Sequence, residues 1–361
     1  MKKKYKKNFF LIATKAITIN LFFKNFIKKN KNKVNFNLIC KNPSQLIFNN
    51  KEIKKIKIDF PVNFMDFINP IKLLKLFIQL SKLKKKMKYS TLLLNTPIAA
   101  HFFRIYYFFS KLNITYFVHG FRFTENRNYF KNLLNKFLER VLSIPTRKYI
   151  TINSLDYEYV IRKIKNKKYL KVNGVGINIK KKNEYNIHQK KFKILVISAY
   201  KTEKGYDDIL YIAKYFNNKN YMISFICYGY GNYNKYQEFI IKNKLRNIFL
   251  KKFQKNLVRK IKNYTLMFHP SFREGLPVSV MQCLTNGLPV VARNIRGCND
   301  LIINNSNGYL FNNKYEAIKY ICYLYKNRKK LNSMSRMAFR SINYKYSHDF
   351  ISRKIFSFVN E

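Results

Sequence analysis

Little of this chain is acidic, and several common signatures are missing from it. Against 72 Lys and Arg stand 17 Asp and Glu; tryptophan is absent and glycine occurs 10 times. The five cysteines (Cys40, Cys227, Cys283, Cys298 and Cys322) form no CxxC pair and no metal-ligand spacing. An odd, scattered set of this kind predicts reduced, buried thiols in a cytoplasmic protein. No GxxxxGK[ST] loop occurs, which argues against a P-loop nucleotidase. No clean transmembrane run is present either: the most apolar stretch, Thr91 to Phe109, is broken by Pro97, His101 and Arg104. The basic start, Met1 to Asn8, precedes an apolar run, but Lys15 and Lys24 interrupt it and no small-residue cleavage site follows, so it does not read as a signal peptide. A soluble or peripheral protein is expected. Repeats of solenoid period and sustained heptads are also missing.

What is present is positive charge. The formal net charge is +55, an excess that ordinarily points to nucleic acid or an anionic membrane. Lys, Asn, Ile, Tyr and Phe are abundant throughout, as an AT-rich coding sequence produces, and the charge runs along the whole chain rather than gathering in one tail. No specific nucleic-acid partner is therefore inferred from charge. The field remains whatever its origin, and an anionic membrane surface is an expected partner. The segment Asn69 to Tyr89 adds to this: Leu73, Leu74, Phe77, Leu80 and Leu83 follow helical spacing among lysines, which suits either a helix packed on a sheet or an interfacial one.

Along the chain, strand-like runs alternate with helical ones. Strands are expected at Asn8–Thr14, Val34–Cys40, Lys55–Ile58, Thr91–Leu94, Thr115–Val118 and Tyr149–Ile152. After a Lys/Asn-rich linker, Lys180 to Lys191, they resume at Lys193–Ile197, Met222–Tyr228, Ile248–Leu250, Thr265–Phe268 and Pro289–Ala292. Length and alternation together predict two α/β domains with parallel sheets, 1–185 and 186–342, followed by a terminal helix, 343–361.

The most informative segment is Ser271-Phe-Arg-Glu-Gly-Leu-Pro-Val-Ser-Val-Met-Gln-Cys-Leu-Thr-Asn-Gly-Leu-Pro-Val-Val-Ala292. Pro277 suits a helix start, Gly287 suits the left-handed position just past its end, and Leu288 to Ala292 is an apolar run of strand length. Amides near Leu276 and Val278 at that helix start suit an anion. Glu274 and Gly275 precede them, with the carboxylate placed to accept hydrogen bonds from a hydroxylated ligand. A nucleotide sugar offers both a diphosphate and a hydroxyl-rich ring.

This segment resembles the signature of glycosyltransferase family 4, in which a second Glu follows eight positions after the first; here that position is Gln282. Further matches are Lys204-Gly205 after a strand, Gly229-Tyr-Gly231 after the next, and, in the first half, Asn95-Thr96-Pro97 and His119-Gly120-Phe-Arg122, which are similar to segments of capsule and exopolysaccharide transferases. The resemblance implies the GT-B fold: two Rossmann-like domains with parallel sheets facing across a cleft. A C-terminal helix that returns to the first domain is expected with it. It implies a retaining hexosyltransferase that moves sugar from a nucleotide diphosphate sugar, a UDP-sugar favoured, to a lipid-linked saccharide at the inner membrane face, as in capsule or O-antigen biosynthesis. Glu274 would hold donor-sugar hydroxyls and His119 would approach the transferred sugar. Lys204, with Lys201 standing in for a basic residue where this chain has Ala199, would hold the diphosphate. Gly205, Gly229, Gly231, Gly275, Leu276, Val278 and Gln282 complete the donor side, while Thr14, Thr18 and Arg122 lie on the acceptor side. No Asp-x-Asp motif occurs, so neither a metal nor another cofactor is expected, and lysines and helix starts would carry the leaving-group charge. Two readings from other classes stay open: a non-catalytic scaffold at the membrane, suggested by Gln282 and Ala199, and a basic nucleic-acid-binding protein.

Overall fold

The structure, a computed structural model, describes residues 6–48, 52–124, 128–179 and 191–361. Residues 1–5 of the basic start, and the expected linker apart from Lys191, lie outside the described residues. The chain divides into two compact units, residues 1–176 with 346–361, and residues 177–345. These breaks lie nine residues before and three residues after the expected ones at 185 and 342.

The first unit is built on seven parallel strands: β1 (Asn8–Ile12), β2 (Asn35–Cys40), β3 (Lys54–Lys57), β4 (Thr91–Asn95), β5 (Ile114–Val118), β6 (Thr146–Thr151) and β7 (Lys168–Lys171). Their order is β3-β2-β1-β4-β5-β6-β7, so the winding direction reverses between β1 and β4. Helices cover both faces, which is why β1, β4 and β5 are continuous apolar runs rather than alternating ones. Edge strand β7 is a half-buried Lys-Tyr-Leu-Lys stretch without the apolar run that marks its neighbours. The terminal helix His348–Asn360 belongs to this unit. Its Phe356 ring lies 6.3 Å from Phe26, and Thr91 Oγ1 donates to Asn360 Oδ1 at 3.1 Å.

The expected amphipathic segment forms two helices, Pro70–Ser81 and Lys84–Met87. Asn69 caps the first by accepting from Lys72 N (3.0 Å), and Pro70 sits where its missing N–H is harmless. Leu76, Leu80 and Leu83 are buried on the core, whereas Leu74 is 61% exposed.

A buried charge cluster ties two further helices of this layer, Pro97–Tyr106 and Tyr129–Leu142. Arg104, fully buried, donates to both Glu139 oxygens (3.0 and 3.2 Å) and stacks over Tyr116 at 4.3 Å; His101 Nε2 lies 2.9 Å from Glu139 Oε1. Burial alone would raise the Glu139 carboxyl, but Arg104 and then His101 outweigh it and hold it down at about 2.

The second unit has six parallel strands: β8 (Phe192–Ile197), β9 (Ile223–Gly229), β10 (Ile248–Lys252), β11 (Leu266–His269), β12 (Val290–Arg293) and β13 (Gly308–Phe311). Their order is β10-β9-β8-β11-β12-β13, with reversal between β8 and β11. Its core packs Phe225, Phe268, Phe311 and Ile321 among other buried side chains. Cys40, Cys227, Cys283 and Cys298 are buried free thiols and Cys322 is a half-buried one.

Candidate active site

In an open parallel sheet, loops leaving adjacent strands diverge where the winding reverses, and this leaves a crevice at the carboxyl ends of those strands. In the second unit that point lies between the loop after β8, carrying Lys204, and the loop after β11, carrying Glu274. The two meet there: Lys204 Nζ donates to Glu274 Oε1 at 2.7 Å, to the Arg273 carbonyl at 3.3 Å and to Ser271 Oγ at 3.4 Å. Backbone joins them as well, Phe272 N donating to the Glu203 carbonyl (3.0 Å).

Local sequence explains the fit. Thr202–Lys204 forms one tight 3-10 turn that ends on Gly205 at φ +77°. A Cβ at Gly205 would lie 2.3 Å from the Pro270 carbonyl oxygen, so only glycine lets the two loops touch. Gly297, φ +80°, serves the other side: a Cβ there would lie 2.2 Å from the Gly275 carbonyl oxygen. Arg293, at the end of β12, braces the Pro270 turn by donating Nε to its carbonyl (3.0 Å), pairing with Asp208 and stacking on Phe272 at 4.0 Å.

Glu274 is half-buried, and burial alone would raise its carboxyl; His269 and Lys204 outweigh that and bring it down to about 2. His269 Nε2 stands 3.4 Å from Glu274 Oε1, close enough for electrostatic attraction but without hydrogen-bond alignment. The group is thus an ionised acceptor at neutral pH, held by one flexible cation and backed by a buried imidazole.

The other donor-side residues take separate places. Pro277 caps the helix Val278–Leu284, whose N-terminal residues follow the buried Leu276, and Gly287 takes φ +68° beyond it, as expected. Gln282 is half-buried on this helix, its carbonyl accepting from Asn286 Nδ2 at 2.7 Å. Gly229 ends β9 and Gly231 takes φ +100°; Tyr200 N donates to the Tyr230 carbonyl between them (2.8 Å), tying that turn to the loop after β8. Lys201 is exposed on the same loop.

In the first unit, His119 follows β5 and its Nε2 lies 3.1 Å from Asn95 Oδ1. Asn95 Nδ2 already donates to the Leu93 carbonyl (3.2 Å), so Oδ1 is the atom that faces the ring and Nε2 is the donor. Phe22 stacks on the imidazole at 5.2 Å and Phe117 lies 4.4 Å away. Burial lowers its pKa to about 4, leaving a neutral ring with Nδ1 as acceptor at neutral pH. Thr14 lies at this unit's own reversal point, where its Oγ1 and that of Thr96 are 2.7 Å apart; Thr96 takes φ +65°, rare for a β-branched residue. Thr18 is half-buried in the helix Ala16–Phe22 and Arg122 is exposed.

Three features were not singled out by sequence. His269 looks like the end of a buried strand. The exposed rings Tyr230 and Phe253 stack at 4.2 Å beside the Gly229–Gly231 turn. A cavity of about 220 Å³ beyond β2 and β3 is lined by Lys41, Lys57, Lys72 and Lys75 with Asp59 and Asp66. Among the described residues no group of His, Cys, Asp and Glu side chains could hold a metal ion.

Two doubly wound parallel-sheet domains, the second with a carboxylate and a lysine facing each other at its reversal point, define the GT-B class of fold. Full-length likeness supports this: HepE of Anabaena, solved with UDP and glucose, superposes with a TM-score of 0.74 over 99% of this chain and 100% of that one, at 14% identity. Residues 178–341 match the family described as Glycosyl transferases group 1. The GtfA subunit of a UDP-N-acetylglucosamine–peptide N-acetylglucosaminyltransferase from Streptococcus agalactiae is 32% identical over 152 residues, 40% of this chain; the match spans only 30% of that relative's length. An uncharacterized 41.2 kDa protein of the cps region in Klebsiella pneumoniae is 23% identical over 262 residues, 66% of this chain and 69% of that protein.

Proposed function

We propose that the protein is a retaining glycosyltransferase that moves a hexosyl unit from a nucleotide diphosphate sugar, with a UDP-sugar favoured, to a lipid-linked saccharide at the inner face of the membrane, in surface-polysaccharide assembly. The observation that carries the reading is the ionised Glu274 held against Lys204 at the reversal point of the second sheet, 2.7 Å apart. The UDP-bound structural neighbour and the cps-region relative support the donor and the pathway class.

In this reading Glu274 accepts hydrogen bonds from donor-sugar hydroxyls, and Lys204, a rotatable point charge, turns toward the diphosphate. Lys201 and the amides at Leu276 and Val278 add to the anion's stabilisation, and the Gly229–Gly231 turn admits the nucleotide beside the Tyr230 ring. His119 offers Nδ1 as acceptor to a sugar hydroxyl. The bond from the anomeric carbon to the diphosphate oxygen breaks as the acceptor oxygen bonds to the same face, and the acceptor's proton passes to the departing phosphate. Charge that develops on the diphosphate is what the lysines stabilise most in the transition state.

The test is transfer from a panel of radiolabelled nucleotide sugars to membrane lipid extract. Glu274→Ala is expected to lose nearly all transfer with the fold intact, and a variant with wild-type rates sinks the site. Metal independence is tested in the same assay: EDTA is expected to leave the rate unchanged, and a rate restored only by a divalent cation overturns that part.

A further inference from the structure

The helix Tyr129–Leu142 is built inside out. Asn132, Asn135, Glu139 and Leu142 recur at spacings of three and four, one stripe of a helix, and these half-buried or buried side chains, mostly polar, form its inward face. Asn132 exchanges hydrogen bonds with the Thr124 backbone (Nδ2 to O 2.6 Å, N to Oδ1 3.2 Å), and Glu139 is locked by Arg104 and His101. The apolar side chains point the other way. Tyr129, Phe130, Leu133, Leu134 and Phe137 are 74, 75, 54, 57 and 60% exposed. Isolated exposed apolar residues are ordinary, but five large ones on under three turns form a patch that signals a contact.

Charge selects the partner. Lys131, Lys136 and Arg140 flank the patch, and the helix's one acidic residue, Glu139, is buried and paired. The outward face therefore carries only apolar and cationic groups. A second copy of a chain at +55 would bring like charge against it, whereas an anionic bilayer accepts the rings and leucines below its headgroups and the lysines among them. We propose that this outward face docks the first domain on an anionic lipid bilayer, with the Arg104–Glu139 pair fixing the rotation that turns the apolar stripe outward. The inference rests on the peripheral placement proposed above and names the element responsible for it.

The experiment is co-sedimentation of the full chain with phosphatidylcholine vesicles, with and without phosphatidylglycerol, at low and high salt. Wild type is expected to bind the anionic vesicles and to keep part of that binding at high salt, where purely electrostatic adhesion is screened. Phe130→Ser/Leu134→Ser/Phe137→Ser, with its melting temperature checked, is expected to lose about tenfold or more in partitioning. A matched Leu74→Ser/Ile78→Ser variant on the helix Pro70–Ser81 should lose far less. Undiminished binding by the triple variant overturns the assignment of this helix, as does a solution dimer that the triple variant dissociates. If wild type binds no vesicle, the peripheral placement itself fails, while transfer to a soluble acceptor analogue would still be readable.

Discussion

Each domain carries a carboxylate held at a pKa of about 2 between a histidine and a cation, the buried Glu139 with His101 and Arg104, and the half-buried Glu274 with His269 and Lys204. Their electrostatics are nearly the same and their geometry is not. Glu139 joins two helices through a bidentate pair with a fully buried guanidinium, and nothing from outside can reach it. Glu274 sits on a loop at a sheet reversal point, with single-point contact to a lysine whose side chain is 23% exposed. A depressed carboxylate pKa therefore does not identify a functional site by itself. What separates anchor from acceptor is the rigidity of the counter-ion and access to the oxygens.

The sharpest way to break this contrast is to remove each carboxylate. Glu139→Ala strands Arg104 in the interior, and a loss of about 3–5 kcal/mol in unfolding free energy is expected by denaturant titration. Arg104→Met/Glu139→Leu should recover most of that loss, because the cost lies in the unpaired charge rather than in a missing bond. A Glu139→Ala protein of wild-type stability would show that the cluster anchors nothing. Glu274→Ala should differ in both respects: transfer falls about 10²–10³-fold, equivalent to roughly 3–4 kcal/mol in the transition state, while the stability loss stays below that of Glu139→Ala because Lys204 can turn to water.

Acidification gives a second, smaller separation. Both carboxylates titrate lower in the folded chain than their ordinary value of 4.5, so each contributes stability that is full above that value and is lost as pH falls toward about 2. The stability gap between wild type and Glu274→Gln is expected to be on the order of 2 kcal/mol at neutral pH and to close across that window. A gap that is constant down to pH 2 would mean that the carboxylate is not selectively stabilised in its ionised form. Bound nucleotide sugar should alter the Glu274 gap and leave the corresponding Glu139 gap unchanged.

How far these features were legible in the sequence follows from how far apart their causes lie along the chain. The Glu274 loop was legible because Pro277, Gly287 and the apolar run to Ala292 set turn, helix and strand within one short segment, and Lys204-Gly205 was marked by its place after β8. The parallel two-domain α/β fold followed from the strand–helix alternation in the same way. His269 was not legible: at the end of the apolar run Leu266-Met-Phe it looks like core, and its proximity to Glu274 arises only when the loop folds back. Arg104 and Glu139 are separated by 35 residues and sit on different helices, so no local pattern pairs them. That pairing also decides the rotation of the helix Tyr129–Leu142, which an amphipathic reading would place with its leucines inward. Strand β7 escaped because it is a short edge with little apolar excess, and β13 because its four residues, Gly308–Phe311, lie between Asn-rich turns and are too short a run to stand out.

The smallest expected effect concerns Gln282, which stands where the resembling family carries a second carboxylate. It lies on the helix Val278–Leu284, which follows the Glu274 loop, and is half-buried, so Gln282→Glu adds a negative charge to the element next along the chain from that carboxylate. If this position receives ribose hydroxyls, a carboxylate accepts two hydrogen bonds where the amide oxygen accepts with less charge, and hydrogen bonds to charged groups are the stronger kind. Donor KM should then fall by about fivefold, close to 1 kcal/mol, with kcat nearly unchanged, since binding that is equal in the ground and transition states does not accelerate the chemical step. A change in kcat without a change in KM would move Gln282 from the nucleotide to the reacting sugar. No change in either would mean that the donor does not reach this helix at all, and the contrast between anchor and acceptor would then rest on Glu274 and Lys204 alone.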